Sequence, residues 1–203
     1  MSKTLKCEFV GFDEYLEGER DVEVRSEYVD GQIYAMAGAS ELHNTIASEF
    51  HTLVNMRLND ECRAWQADMK IVGKNQNDQY FSYYPDIAVA CGENTGDPYA
   101  RTNPILIVEV LSPNTQRTDL KEKFDHYIQI PSLIEYVVVA QDTPYVRLFR
   151  RSKHWQAESY YAEDIFILES VVQEIQVKQI YRRVRREVGL DLPFPMLNRP
   201  WNT

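Results

Sequence analysis

The chain has 203 residues, 44% of them hydrophobic and 26% charged, with a formal net charge of −9 and a pI near 5.0. That length suits a single domain across 1–203. No apolar run approaches the roughly 18 residues of a membrane span. The opening MSKTLKCEFVGFDEYLEGER turns acidic where a signal peptide would be apolar, so a cytoplasmic globular protein is expected. The acidic balance argues against a constitutive nucleic-acid binder with a basic face, because phosphate neutralisation supplies most non-specific affinity. It leaves room for an acidic site in which a divalent cation supplies the positive charge. Cys7, Cys62 and Cys91 are odd in number and widely spaced, which suggests reduced thiols rather than a disulfide framework or a zinc site.

Residues 11–18 form a short helix candidate. RSEYVDGQIYAMA alternates and contains Asp30-Gly31, a dipeptide of tight hairpin turns, so residues 25–37 read as a β-hairpin. Ser40 is a candidate N-cap. Leu42, Ile46, Phe50, Leu53, Val54 and Leu58 follow at helical spacing, giving a helix over 41–59. Strands are expected at 63–72, 86–90 and 105–111, the last broken by Ser112-Pro113-Asn114-Thr115. Residues 116–129 carry Leu120, Phe124, Tyr127 and Ile128 on one face and read as a second helix. LIEYVVVA at 133–140 is an apolar strand, YVRLFRR and HWQAESYY form a hairpin, and 169–184 reads as a final helix. The tail over 190–203 is expected to be extended. A helix between two apolar strands implies parallel pairing and an α/β fold.

Two acids stand alone in the most apolar stretches. Asp86 follows Pro85 and opens IAVA, while Glu109 lies inside ILIVEVL. An unpaired ionised carboxylate costs several kcal/mol or more in such surroundings, so each must be paired, protonated or bound to a cation. At matched ends of neighbouring strands they would form an oxygen-rich pocket suited to Mg²⁺ or Mn²⁺. Alternatively, Asp86 caps a turn and Glu109 pairs with an arginine.

YPDIAVA, ILIVEVLSPNT and DLKEKFDHYIQIPSLIEYVVV, with EYVDGQIYAMAGAS and ELHN before them, resemble the Uma2 family of restriction-endonuclease-like proteins, bacterial members of the PD-(D/E)XK nuclease superfamily. The similarity spans about residues 10–180. It implies a mixed central sheet flanked by helices, with an N-terminal β-hairpin and a core over about 10–184. Pro85-Asp86 matches the PD element and Glu109 the second acid. The superfamily's lysine position is Leu111 here, and Lys123 in the following helix matches a migrated lysine, with Asp119 and Tyr127 at neighbouring pattern positions. The resemblance then implies a metal held by Asp86 and Glu109, with the Val110 carbonyl as a further ligand and Lys123 as the catalytic cation. Residues 119, 123 and 127 share one helix face. Lys121, on a different face, is the local control, and a solvated cation is the alternative for Lys123.

Glu27 reaches the metal from the hairpin or is a surface acid. His43 touches substrate or metal or is structural. Asp68 alternates with Met69 and Ile71 and is expected on the solvent face. Arg147, Arg150, Arg151 and Lys153 contact phosphates or form a solvated hairpin tip. The expected function is a metal-dependent endonuclease hydrolysing DNA phosphodiester bonds, where cleavage of both strands favours a two-fold dimer. The alternatives are an inactive nuclease-fold binding or assembly module, and a metal-dependent phosphodiesterase acting on a smaller substrate.

Overall fold

The structure, a computed structural model, describes residues 9–36, 38–94, 96–111 and 119–190, with Asp119 and Leu120 described by backbone alone. A short helix, α1 (Phe12–Gly18), precedes a hairpin of β1 (Ser26–Val29) and β2 (Gln32–Ala35). Asp30 and Gly31 turn the hairpin with φ of 46° and 82°, the left-handed backbone that a two-residue hairpin turn demands. Helix α2 (Glu41–Asn55) follows, then β3 (Cys62–Gln66), β4 (Lys70–Lys74), β5 (Tyr80–Tyr83), β6 (Ile87–Cys91), β7 (Ala100–Arg101) and β8 (Leu106–Leu111). A π-helical turn, Asp119–Lys123, runs into α3 (Phe124–Tyr127). The chain continues through β9 (Glu135–Ala140), β10 (Tyr145–Arg150), a 3-10 turn, β11 (Ala157–Tyr161), β12 (Ile165–Leu168), β13 (Gln173–Gln176) and α4 (Val177–Ile180).

The strands form a five-stranded sheet ordered β2-β1-β5-β4-β7, a six-stranded sheet ordered β11-β10-β9-β8-β6-β3, and the β12–β13 pair. Within the six-stranded sheet β8 and β9 run parallel, in register from Leu106↔Glu135 to Leu111↔Ala140, as the crossover through residues 119–127 requires. Alternation along β8 divides the interior. Leu106, Val108 and Val110 join Ile46, Phe50 and Val54 of α2 in one core. Ile107 and Leu111 join Phe81, Tyr83, Tyr127 and Tyr136 in a second core between the two large sheets. Every residue of β8 is buried, as expected of a central strand covered on both faces.

Four expectations need correction. Residues 63–72 are two strands in different sheets, because Ala67 and Asp68 both take positive φ (51° and 41°) and turn the chain between β3 and β4. Residues 169–184 are not one helix. They supply β13 and α4, because pairing with β12 places Phe166, Leu168 and Ile175 in the first core. The 41–59 helix ends at Asn55. Cys62 and Cys91 are not free thiols: opposed across β3 and β6, with Cα atoms 3.9 Å apart, they form a disulfide. β5, β7 and β12 are additions to the expected elements. The SPNT break and the 190–203 tail lie outside the described residues, apart from Leu190. Among the described residues no helix is long and apolar enough to cross a membrane.

Candidate active site

Ser40 caps α2, its hydroxyl accepting from the His43 N–H at 3.1 Å, which satisfies one of the free amides at a helix start. The cap presents His43 to the beginning of β6, where Nε2 lies 2.7 Å from Asp86 Oδ1. Asp86 stands one residue before β6, and its Oδ2 accepts from the Val110 N–H at 2.6 Å. The carboxylate thus takes an amide of β8 and is fixed in direction by an imidazole and a backbone donor. One rung beyond the β6–β8 pair Ile87↔Val108, the register sets Asp86 opposite Glu109.

Glu109 points into the second core, only 4% exposed. Its Oε1 accepts from the Tyr127 hydroxyl at 3.1 Å and from Lys123 Nζ at 3.4 Å. Lys123 is also buried. Its ammonium lies 2.8 Å from Glu27 Oε1 on β1 and 5.3 Å from the centroid of the Tyr83 ring, a distance at which a ring face attracts a cation. The π-helical turn ends at this lysine, and such local widenings of a helix recur at functional sites. Lys121, two residues earlier, is exposed. Leu111, at the superfamily's lysine position, packs in the second core at 3% exposure, so the ammonium arrives from the helix instead of the strand. Burial, followed by the charges of Glu109 and Glu27, pushes the Tyr127 phenol well above its ordinary range. Tyr127 therefore remains a proton donor toward Glu109.

The structure brings Glu27, Glu109, Lys123 and Tyr127 into one cluster, and Asp86, His43 and Val110 into a second. The two meet on β8, where Glu109 and Val110 are consecutive. The Asp119 side chain lies outside the described residues. Asp68 faces solvent as expected, its side chain 79% exposed. The basic cluster divides: Arg151 and Lys153 are exposed on the turn between β10 and β11, as a solvated hairpin tip requires, whereas Arg150 is buried against Glu135, Glu158 and Glu169. Arg151 donates to the carbonyls of Leu133 and Ile130, and Arg147 to the Tyr145 hydroxyl. Tyr83 and His126 are additions: the Tyr83 hydroxyl lies 2.7 Å from His126 Nδ1 beside the lysine. Tyr83 stands three residues before Asp86, and recognition of β5 would have exposed it.

The donor set fits a hard divalent cation. Of three carboxylates here, Glu27 and Glu109 share the Lys123 ammonium and Asp86 meets His43. Among the described residues no three His, Cys, Asp or Glu side chains form a ready cage. Mg²⁺ binds through one or two carboxylates while keeping several waters, so a pair of opposed acids is adequate.

Residues 12–183 match the family Uma2, described as "Putative restriction endonuclease". The chain belongs to the Uma2 family. Two proteins of Synechocystis sp., both described as uncharacterized, are similar to it. One is 35% identical over 179 residues, covering 84% of this chain and 90% of its own. The other is 34% identical over 132 residues, 63% of this chain and 73% of its own. The Uma2 fold is shared with a crystal structure from Anabaena variabilis described as "a putative nuclease belonging to DUF820", with a TM-score of 0.69 at 20% identity, covering 85% of this chain and 98% of that one. The α/β nuclease-like architecture expected from the sequence is thereby established.

Proposed function

We propose that this Uma2 protein is a divalent-metal-dependent endonuclease that hydrolyses DNA phosphodiester bonds in the cytosol. The observation that carries the reading is the return of Lys123: with Leu111 in the superfamily's lysine position, a buried ammonium from the next helix still lies 3.4 Å from Glu109. Asp86 and Glu109 are the proposed ligands of Mg²⁺ or Mn²⁺, with the Val110 carbonyl as a further donor. When bound, such an ion polarises a phosphoryl oxygen and lowers the pKa of water. His43 and the Val110 N–H hold Asp86 in one orientation. Lys123, steadied by Glu27, offers positive charge where negative charge develops on the phosphorane. Tyr127 keeps Glu109 directed toward the lysine.

The second reading, a nuclease-fold binding or assembly module without catalysis, is favoured by one observation: Lys123 already balances Glu109 and Glu27 within the protein. Metal-dependent nicking of supercoiled plasmid separates the two. Wild type should nick with Mg²⁺ or Mn²⁺ and not in EDTA. Asp86→Asn and Glu109→Gln, which retain acceptors for the Val110 amide and the Tyr127 hydroxyl, should fold and fail to nick. They should also lose the Mn²⁺-dependent rise in stability, worth about 2.7 kcal/mol for wild type at a hundredfold excess over Kd. Wild type that neither nicks nor is stabilised by Mn²⁺ would establish the non-catalytic reading.

A further inference from the structure

Arg101 on β7 is a buried cation that the proposed site does not use. It is 4% exposed, and its Nη2 donates to the carbonyls of Cys91 at 3.4 Å and Gly92 at 3.2 Å. Its guanidinium carbon lies 5.4 Å from the centroid of the Trp65 ring. The Nε is buried and has no hydrogen-bond partner among the described residues. Burial first, then the like charge of Arg63, push its pKa down. Arg150, the comparably buried arginine, has carboxylates at 2.5 and 2.7 Å. A buried guanidinium answered, among the described residues, by carbonyls and a ring face is short of an anion.

A cavity of about 670 Å³ opens at this point, with Arg63, Arg101, Gly92 and Asn94 in its lining. Asp60, Glu61 and Glu93 also line it. These three acids are exposed, as is Arg63, whereas Arg101 is buried. Five residue steps along β6, at about 3.3 Å each, separate Asp86 from Cys91. The cavity is therefore a separate place, at the opposite end of that strand from the carboxylates.

We propose that this cavity binds a phosphomonoester, with the Arg101 and Arg63 guanidiniums as partners of the phosphate. Two planar forks of N–H donors match phosphate oxygens in geometry and charge. The carboxylates at the rim repel a bare anion and accept hydrogen bonds from hydroxyls, so the organic part is a sugar. The ligand chemistry is a sugar phosphate, supplied either free or as the 5′ end of a nucleic-acid strand. The inference is independent of the nuclease reading.

The test uses the full chain in EDTA, with ribose 5-phosphate as the probe and ribose or chloride at matched ionic strength as controls. Ribose 5-phosphate should raise the melting temperature and the controls should not. Arg63→Ala, an exposed change compatible with folding, should weaken binding by about tenfold or more, the scale of one charged hydrogen bond. Arg101→Met should abolish the response and leave the ligand-free protein at least as stable as wild type. Arg57→Ala, just beyond α2, should change nothing. A 5′-phosphorylated oligonucleotide that binds more tightly than ribose 5-phosphate and than its 5′-hydroxyl twin assigns the site to a strand end; equal binding of the two phosphates assigns it to a free sugar phosphate. The proposal is overturned if the controls raise the melting temperature as much as ribose 5-phosphate, or if Arg63→Ala binds as well as wild type.

Discussion

Glu135 and Glu109 are both buried acids on adjacent parallel strands of one sheet, and each meets a cation. Glu135, with no exposure at all, takes the Arg150 guanidinium at 2.5 Å, the backbone amides of Glu169 and Ser170 at 3.0 and 2.8 Å, and the Ser170 hydroxyl at 2.5 Å. Arg150 in turn donates to Glu158 and to the Ile167 carbonyl, each at 2.7 Å. Glu109 is met by the tip of Lys123 at 3.4 Å and by the Tyr127 hydroxyl, both from one short helical segment. Backbone amides and a planar fork leave a carboxylate no freedom. A single ammonium shared between two acids is a point charge that can be displaced by another cation. The first arrangement pins β12–β13 to the sheet, and the second is the one proposed above as the site.

The largest expected effect tests the structural member. Glu135→Ala leaves Arg150 buried without its closest partner and should cost about 3–5 kcal/mol, read from urea unfolding, with Mn²⁺ making no difference to the loss. A loss that Mn²⁺ repairs would make the two clusters alike. Next comes Lys123→Ala, which should slow plasmid nicking by about 10²-fold or more, the scale of one electrostatic contributor. Lys121→Ala, exposed in the same turn, should nick at the wild-type rate. Equal rates for wild type and Lys123→Ala would reduce the lysine to a counterion.

The smallest effect concerns pH. Burial lowers the pKa of His126, against the opposing pull of Glu122 and Asp125. The folded state therefore holds fewer protons on this ring than the unfolded state, between the folded value and the ordinary 6.5 or so. The stabilisation is complete above about pH 6.5 and is lost as pH falls through that window. Protonation of Nδ1 also removes an acceptor from the Tyr83 hydroxyl, whose own pKa burial pushes up. His126→Phe, which retains the stack on Phe81 (rings 5.0 Å apart), should flatten the melting temperature between pH 5 and 7 relative to wild type.

Much of this was legible in the residues. Asp30-Gly31, the apolar runs of β6, β8 and β9, and the crossover between β8 and β9 fix the centre of the fold by turn chemistry and burial alone. Asp86 and Glu109 are legible because a carboxylate inside an apolar strand demands a partner, be it an ion pair, a proton or a metal. Lys123 did not: within DLKEKFD it is indistinguishable from Lys121 by composition, and only the family resemblance selected it. Residues 169–184 mimic a helix because ESVVQEIQVKQIYRRV has helical spacing, while pairing with β12 and a Val172 φ of 51° turn the first half into a hairpin. The β3–β4 turn was hidden because Ala67 and Asp68, instead of glycine, take the left-handed backbone. The Cys62–Cys91 bond and the isolation of Arg101 depend on partners distant in sequence, which spacing does not reveal.

Glu27 belongs to the five-stranded sheet and Glu109 to the six-stranded one, so the Lys123 ammonium works as a rivet between two layers. The hairpin β1–β2 lies at the edge of its sheet, and edges are where local opening begins. Its opening is therefore tied to the charge state of the centre: whatever draws the ammonium away from Glu27 also loosens the hairpin. Amide exchange along Ser26–Val29 thus becomes a gauge of events at Glu109, on the opposite layer.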